Sequence, residues 1–316
     1  MEKFRGLFRK ALPWIFLTPM LMMIAIFWLS PVAITIFLSF TDITYKNFVQ
    51  FIRGEAGAYS YTLTNFYKVF MGGDPYMVEV AKITLLYVGS VLIINAFYSL
   101  ILSIAIAFLI RNELLSTFLR LTWLLPRITP AVVYGFMWLW LMSPDVGPLY
   151  QLFKALGIAP SSWILEKPYS QLLMIMINGY VGVSFGMIIY TSAIKSIPED
   201  FIKAARVDGA SDFQIARRII LPLLRWPMLF VVSWQTLSLI ASYEYILIVW
   251  GSYGATRAAG TTVFPLYAWF RAFTMGEYAY GAAVSLVILV MGLSLLLIYF
   301  KVFGFSRLMQ PTRIEV

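Results

Sequence analysis

Long apolar stretches, separated by short polar ones, dominate this chain. Each stretch is long enough for an α-helix to cross the hydrocarbon core of a bilayer, which takes about 20 residues. The pattern therefore predicts an all-α membrane protein with six transmembrane helices in a single domain, residues 1–316. The predicted spans cover residues 14–40, 83–110, 118–142, 169–194, 220–250 and 281–303.

Prolines mark places where two of these helices should bend. Pro126 and Pro130 lie in the third predicted span, and Pro222 and Pro227 lie near the start of the fifth. Helical bundles in membranes tolerate proline when neighbouring helices or water satisfy the freed carbonyl groups. We expect kinks at both places.

Composition and charge support a membrane location and predict the orientation. The chain is 61% hydrophobic, only 12% charged, and carries a net charge of +9. With the N-terminus inside, 15 Lys and Arg residues fall on the cytoplasmic side and 7 outside, so the positive-inside rule places both termini in the cytoplasm. Lys82 and Arg127 remain at membrane depth, where long side chains can snorkel towards the surface. No basic run is interleaved with aromatic residues, so no nucleic-acid partner is expected. The expected partner is the lipid bilayer.

The chain contains no Cys and no His. Thiolate nucleophiles, imidazole acid-base chemistry and Cys/His metal sites are thereby excluded. It also lacks the Gly-x-x-x-x-Gly-Lys-Ser/Thr phosphate loop. We predict no catalytic residue, no metal and no cofactor bound by this chain.

The connection at residues 196–222 contains clear signals for where helices begin and end. Ser196 is a predicted N-cap, Pro198 suits an early helical position, and Glu199 and Asp200 favour the positive end of a helix dipole. The helix should end near Gly209, which readily adopts a left-handed conformation. A second helix should follow, capped by Ser211 or Asp212 and leading into Leu221-Pro222, so the loop is predicted as a helix-elbow-helix.

Small and apolar side chains surround the predicted elbow. Ala204, Ala205 and Ala210 would let another surface approach the backbone, while Phe201 and Phe213 would project as apolar knobs. A rigid amphipathic protrusion of this kind suits a groove on a partner protein. The alternative is an ordinary interfacial connection between two spans.

At these residues the chain resembles the permease subunits of binding-protein-dependent ABC importers. Their signature is Glu-Ala-Ala, two residues, Asp-Gly-Ala, then a helix ending in Leu-Pro. The sequence departs from it at one position, where Lys203 replaces the leading Glu. The resemblance therefore implies an ion pair from that position to an ATPase only if the partner carries a compensating acidic residue. The matching residues are Ala204, Ala205, Asp208, Gly209, Ala210, Leu221 and Pro222.

The resemblance extends over nearly the whole chain and is greatest to the carbohydrate branch, the maltose, lactose and glycerol-phosphate permease-like group. It rests on short motifs that occur in the same order: Pro13-Trp14 with Pro19, Asn65-Phe66-Tyr67, Leu125-Pro126 and Tyr278-Ala-Tyr-Gly-Ala-Ala283. The resemblance implies a type I importer fold and a location in the cytoplasmic (inner) membrane.

The resemblance also implies a set of partners. These are a second homologous permease, two ATP-binding cassette subunits and an extracytoplasmic solute-binding protein. ATP and Mg would lie on the ATPase subunits, and residues 198–213 would dock into one of them. Closure of the ATPase dimer would then drive alternating access by rigid-body movement.

Polar residues within the spans are candidates for the substrate pathway. Each is costly in hydrocarbon and should face the bundle interior, a partner or water. A sugar needs planar polar groups for its hydroxyls and aromatic faces for its C–H side, although amides often only bind a neighbouring helix and tyrosines often only form an interfacial belt. The candidates are Asn95, Asn178, Tyr180, Gln235, Tyr243, Glu244 and Tyr245.

Three other functions compete with an importer permease. An ion-coupled secondary transporter would need ionisable groups at mid-membrane, for which Glu244 is the only support, and would not need a docking elbow. A membrane-embedded enzyme is disfavoured by the missing His and Cys and by the lack of paired carboxylates in the spans. A channel subunit is disfavoured because no filter sequence is present.

Overall fold

The computed structural model describes residues 2–158 and 162–302, with side chains from Pro13 onwards. In these ranges every regular element is helical, and the single extended pairing is an isolated bridge between Thr41 and Tyr61. By length and apolarity, 4 of the described helices can cross a membrane, or up to 5 if a bent pair counts as one span. The structure therefore confirms an all-helical protein but not the predicted count of six spans.

The helices are numbered in chain order. They are α1 (Pro13–Ser39), α2 (Phe48–Ile52), α3 (Thr64–Phe70), α4 (Met77–Leu109), α5 (Glu113–Ile128), α6 (Ala131–Leu141), α7 (Pro148–Ala155), α8 (Tyr169–Lys195), α9 (Glu199–Val207), α10 (Asp212–Ile215), α11 (Arg225–Ala241), α12 (Glu244–Trp250), α13 (Tyr253–Ala259), α14 (Phe264–Trp269) and α15 (Tyr278–Val302). The backbone of α1 is helical from Glu2, and α10 leads into α11 through a π-helical turn and one short α-turn.

The third predicted span is bent, as its prolines suggest. Helix α5 ends at Ile128 and α6 begins at Ala131, and the two axes differ by 101°. Thr129 is extended, with ψ 129°, because the ring of the following Pro130 disfavours a helical conformation there. The expected kink is therefore found at this proline.

The fifth predicted span is not one helix. We expected it over residues 220–250, but the structure divides it at Leu224 and again between α11 and α12. The first break follows Pro222. At the second, Ser242 is extended (φ −78°, ψ 128°) and Tyr243 lies outside the helical region (φ −148°). No Gly or Pro marks this second break, so local sequence did not predict it.

The chain divides into two compact units. One comprises residues 1–75 and 268–287, and the other comprises residues 76–267 and 288–316. In the first unit, the loop after α1 is held by Asn65, whose side-chain nitrogen donates to the main-chain oxygens of Ser39 and Thr41 at 3.1 and 2.7 Å. None of the most apolar window of α1 is buried, so that part of the helix is open to lipid or to another chain.

A buried charge cluster ties the first unit together near the start of α15. The Asp74 carboxylate, with a side chain only 1% exposed, lies 2.7 Å from the Arg271 guanidinium. It also accepts a hydrogen bond from the Tyr280 hydroxyl at 2.6 Å. Arg271 reaches Glu277 as well, at 3.2 Å. These contacts join the segment before α4 to the segment around α15.

Helix α8 lies at the centre of the second unit, with 67% of its most apolar window buried. Gly186 brings α8 against Ser99 of α4 so closely that a methyl group at 186 would lie 2.8 Å from the Ser99 Cβ atom. Ser103 of α4 donates to the Met187 main-chain oxygen at 3.2 Å. Small residues and hydroxyl groups thus set the α4–α8 packing, as is usual between membrane helices.

Candidate functional site

The segment at residues 196–222 forms the predicted helix-elbow-helix. Helix α9 carries Glu199 in its first turn and ends at Val207, and Gly209 adopts φ 81°, the left-handed conformation that glycine favours. The Ser211 hydroxyl then accepts the Gln214 amide, while the Gln214 side chain accepts the Ser211 amide, which completes a capping box on α10.

The prediction that Ser196 caps α9 is wrong. Ser196 closes the C-terminal end of α8, and its hydroxyl donates to the Ala193 main-chain oxygen at 2.8 Å. The residue before α9 is Pro198, which is extended (ψ 130°) and offers no side-chain acceptor. Glu199 and Asp200 in the first turn of α9 place negative charge at the positive end of its helix dipole.

One face of the elbow is packed and the other is open. Its inner face rests on a cluster that includes Ile194 of α8, Ile215 and Ile220, with Ala205 and Ala210 packed against it. Leu221 packs on the same cluster, and Pro222 stays exposed. The elbow is thus fixed to the helices beneath it through apolar burial.

The outer face of the elbow carries exposed apolar side chains. Phe201 is 60% exposed, Val207 87% and Phe213 73%. Ala204 is also exposed between them. An exposed apolar patch next to a rigid backbone is typical of a surface that a partner covers.

Two ion pairs lie on the elbow. Lys203 contacts Glu199 one turn earlier at 2.8 Å, and Arg206 contacts Asp212 at 3.3 Å across Gly209. The hydrogen bond with Lys203 lowers the pKa of Glu199, and the same bond raises the pKa of Lys203. Asp208 lies at the end of α9, where its main-chain amide donates a hydrogen bond to the Ala204 main-chain oxygen. The positive charge of Lys203 is therefore balanced inside α9.

A cavity of about 330 Å³ lies among α4, α5, α8, α11 and α12 in the second unit. Five of the seven predicted pathway residues line it: Asn95, Asn178, Gln235, Glu244 and Tyr245. Asn95 and Asn178 lie well inside α4 and α8, so the cavity is far from the ends of these two helices, and it extends to Ala241 at the end of α11. A volume of several hundred Å³ is within the usual range for small-molecule sites.

The amide groups at this cavity are not fully used by the protein. Gln235 donates from its side-chain nitrogen to the Gly182 main-chain oxygen at 2.7 Å. Asn95 is fully buried, yet both polar atoms of its side chain have no hydrogen-bond partner, and the side-chain nitrogen of Asn178 has none either. Buried polar atoms without partners are rare and costly, so a water or a bound molecule is needed to satisfy these amides.

Two opposite charges line the cavity at the ends of broken helices. Arg127 lies in the last turn of α5 and Glu244 in the first turn of α12, the helix ends where a cation and an anion respectively are favoured. Neither forms a salt bridge within the described residues, and Arg127 instead lies 5.1 Å from the centre of the Phe185 ring. The helix breaks thus bring two charged groups to the depth of the amides.

Two predicted pathway residues do not line the cavity. Tyr180 packs against the Trp123 ring at 5.3 Å, because two residues along a helix turn it about 200° away from Asn178. Tyr243 lies in the break before α12, half-buried. Sequence reasoning missed Arg127, which was assigned to the membrane surface. Its position next to the Thr129-Pro130 break was the available signal.

Comparison with known proteins decides the family. The model of one protein family, the binding-protein-dependent transport system inner membrane components, matches residues 75–309. The chain belongs to this family. A probable ABC transporter permease protein of Pyrococcus horikoshii is 28% identical, over 91% of this chain and 94% of its own length. An alpha-glucoside transport system permease of Rhizobium meliloti is 24% identical, over 88% and 78%.

A solved structure shares the fold of this inner membrane component. It is a bacterial alginate ABC transporter in complex with an alginate pentasaccharide-bound periplasmic protein. The TM-score is 0.79, with 19% identity, and the match covers 95% of this chain and 96% of the other. The fold is therefore that of an ABC importer permease, as the sequence predicted.

Proposed function

We propose that this inner membrane component is the permease of an ATP-driven importer for a sugar or a related hydroxyl-rich solute. The alpha-glucoside permease and the alginate transporter are its relatives by sequence and fold, and both handle carbohydrates by name. In this proposal the chain is one permease domain of residues 1–316, with six membrane spans and both termini in the cytoplasm. Arg307 and Arg313, which contribute to that orientation, lie outside the described residues.

The observation that carries the proposal is that the elbow and the cavity share the same two helices. Ile194 of α8 and Val231 of α11 belong to the apolar cluster on which the elbow rests. The same helices carry Asn178 and Gln235 to the cavity. A force applied to the elbow would therefore act on two of the helices that line the solute path.

The elbow would be the docking site for a separate ATPase. Phe201, Val207 and Phe213 present an apolar surface, and Glu199 balances the charge of Lys203 within α9. ATP and Mg would bind to two ATPase subunits, and a second permease would complete the pore. Binding and closure of the ATPases would move α8 and α11 as rigid bodies and open the cavity to alternate sides.

Reconstitution tests this proposal. The chain is co-expressed with the second permease and the ATPase encoded beside it, purified, and placed in proteoliposomes with the companion binding protein. We expect solute uptake that requires ATP, and ATPase activity that rises when the binding protein carries its solute. Uptake by the purified chain alone, driven by an ion gradient, would contradict the proposal and identify a secondary transporter.

A further inference from the structure

The cavity contains a balanced pair of charges that suits a particular class of solute. Among the residues that line it, Arg127 is the one cation and Glu244 the one anion. Neither is within 4.0 Å of an opposite charge in the described chain. The other polar lining groups, Asn95, Asn178 and Gln235, are uncharged amides.

We propose that Arg127 and Glu244 determine the specificity of this permease, and that the pair selects uncharged, hydroxyl-rich solutes over acidic or basic analogues. The inference rests on the proposed function of the cavity as a solute path and names the class of solute that fits it. It goes beyond the relatives, because the alginate transporter of similar fold carries an acidic polysaccharide ligand.

The chemistry of the lining supports a neutral ligand. A hydroxyl group both donates and accepts, so one sugar can accept from the Arg127 guanidinium and the amide nitrogens while it donates to the Glu244 carboxylate. The unpartnered atoms of Asn95 and Asn178 are buried at the cavity wall and would supply further donors and an acceptor to a solute that reaches them. Hydrogen bonds to charged groups are stronger than neutral ones, so two opposite charges hold a polar, uncharged molecule well.

The same pair disfavours charged solutes. A carboxylate on the solute would be attracted by Arg127 but repelled by Glu244. An ammonium group would be attracted by Glu244 but repelled by Arg127. Charges act over several ångströms in a partly desolvated cavity, where the effective dielectric constant is well below that of water. Removal of one member would leave a net charge and shift the preference towards solutes of opposite sign.

The absence of cysteine from the chain allows a direct test. Ser238 lines the cavity and is exposed, so Ser238→Cys places a single thiol there. The assembled transporter in nanodiscs is treated with two thiosulfonate reagents of matched size, one ending in trimethylammonium and one in sulfonate. The labelling rate of this chain is followed by mass spectrometry, with each rate divided by that for a free thiol.

We expect the two normalised rates to agree within about threefold in the Ser238→Cys protein, because the charges balance. Adding Glu244→Gln should raise the sulfonate-to-trimethylammonium ratio by about tenfold, and adding Arg127→Gln should lower it by about tenfold. Asp145→Asn and Lys154→Gln, at exposed positions that do not line the cavity, serve as matched controls and should leave the ratio unchanged.

Protection by sugars then tests selectivity. Glucose should slow the labelling of the Ser238→Cys protein more than glucuronate or glucosamine does at equal concentration. Glucuronate should gain protection in Glu244→Gln, and glucosamine in Arg127→Gln. Three results would overturn the inference. The labelling ratio could stay the same in both substituted proteins, none of the sugars could protect, or glucuronate could protect the unsubstituted cavity most strongly. ATP-driven uptake by the parent transporter, measured separately, would leave the proposed function standing.

Discussion

Gln235 and Gly182 join two of the helices that line the cavity. The Gln235 side-chain nitrogen lies 2.7 Å from the Gly182 main-chain oxygen, and Gln235 is only 5% exposed. The bond fixes α11 against α8 at the depth of the unpartnered asparagines. One amide side chain therefore both positions a helix and lines the site.

Replacing Gln235 by Leu should weaken the α8–α11 contact. The loss of one side-chain hydrogen bond between membrane helices costs about 0.6–2 kcal/mol. We expect a lower midpoint of thermal unfolding for the detergent-solubilised transporter, measured by the fluorescence of tryptophan. Ser238→Ala, on the same helix with no side-chain bond to α8, is the control. An equal loss in both variants would show that the Gln235 bond does not stabilise the contact.

Gly186→Ala tests the close approach of α8 and α4. A methyl group at 186 would meet the Cβ atom of Ser99 at 2.8 Å, which is attached directly to the backbone and cannot move aside. Overpacking of this kind typically costs about 1–3 kcal/mol. At Gly179 the nearest atom would be an Ile94 methyl carbon at 3.4 Å, an ordinary contact. Gly179→Ala should therefore assemble normally, whereas Gly186→Ala should show a reduced yield on size-exclusion chromatography.

The third prediction concerns the contribution of the buried Asp74–Arg271 pair to stability. Arg271→Met would leave the Asp74 carboxylate buried without its cation, which costs about 3–5 kcal/mol when one partner of such a pair is removed. We expect faster proteolysis of the loop at 40–75 in right-side-out vesicles. Arg53→Met removes a cation from an exposed pair with Glu55 and should have little effect. Equal protease resistance in the Arg271 and Arg53 variants would contradict this prediction.

Gly209 tests the elbow through its backbone. Its φ of 81° is strained for most residues and most severely for a β-branched one, while no atom lies within 4 Å of the site where a Cβ would be. Gly209→Val should abolish ATP-driven uptake but leave the protein in the membrane. Gly209→Asn should retain most activity, because asparagine tolerates the left-handed conformation. Full uptake by the Val variant would count against a rigid elbow.

Much of this fold follows from sequence, and the failures have physical causes. The elbow was predictable because Gly209, Ser211 and Gln214 act locally. The break before Tyr243 was not, because Ala241-Ser242-Tyr243 contains no helix breaker and tertiary packing decides the conformation. Tyr180 does not line the cavity, since it cannot share a helix face with Asn178. Arg127 was missed because its position depends on a bend of 101° whose size no sequence pattern gives.

The exposed knobs of the elbow should bind the ATPase. Phe213 is 73% exposed, so Phe213→Asp should leave the fold intact. The substitution should remove the apolar contact that Phe213 makes with a groove on the partner. We expect the ATPase to be lost from the complex during affinity purification. Leu156, which is 63% exposed outside the elbow, gives a matched Leu156→Asp control that should keep the ATPase.

Cross-linking from the elbow tests the central claim most directly. Val207 is 87% exposed, and the chain has no native cysteine, so Val207→Cys can carry a single benzophenone probe. Illumination of membranes that contain the assembled transporter should link this chain to the ATPase subunit, with a yield that changes when ATP is added. The same probe at Leu156→Cys should give no such product. No adduct from position 207 in a transporter that is actively taking up solute would contradict the coupling account.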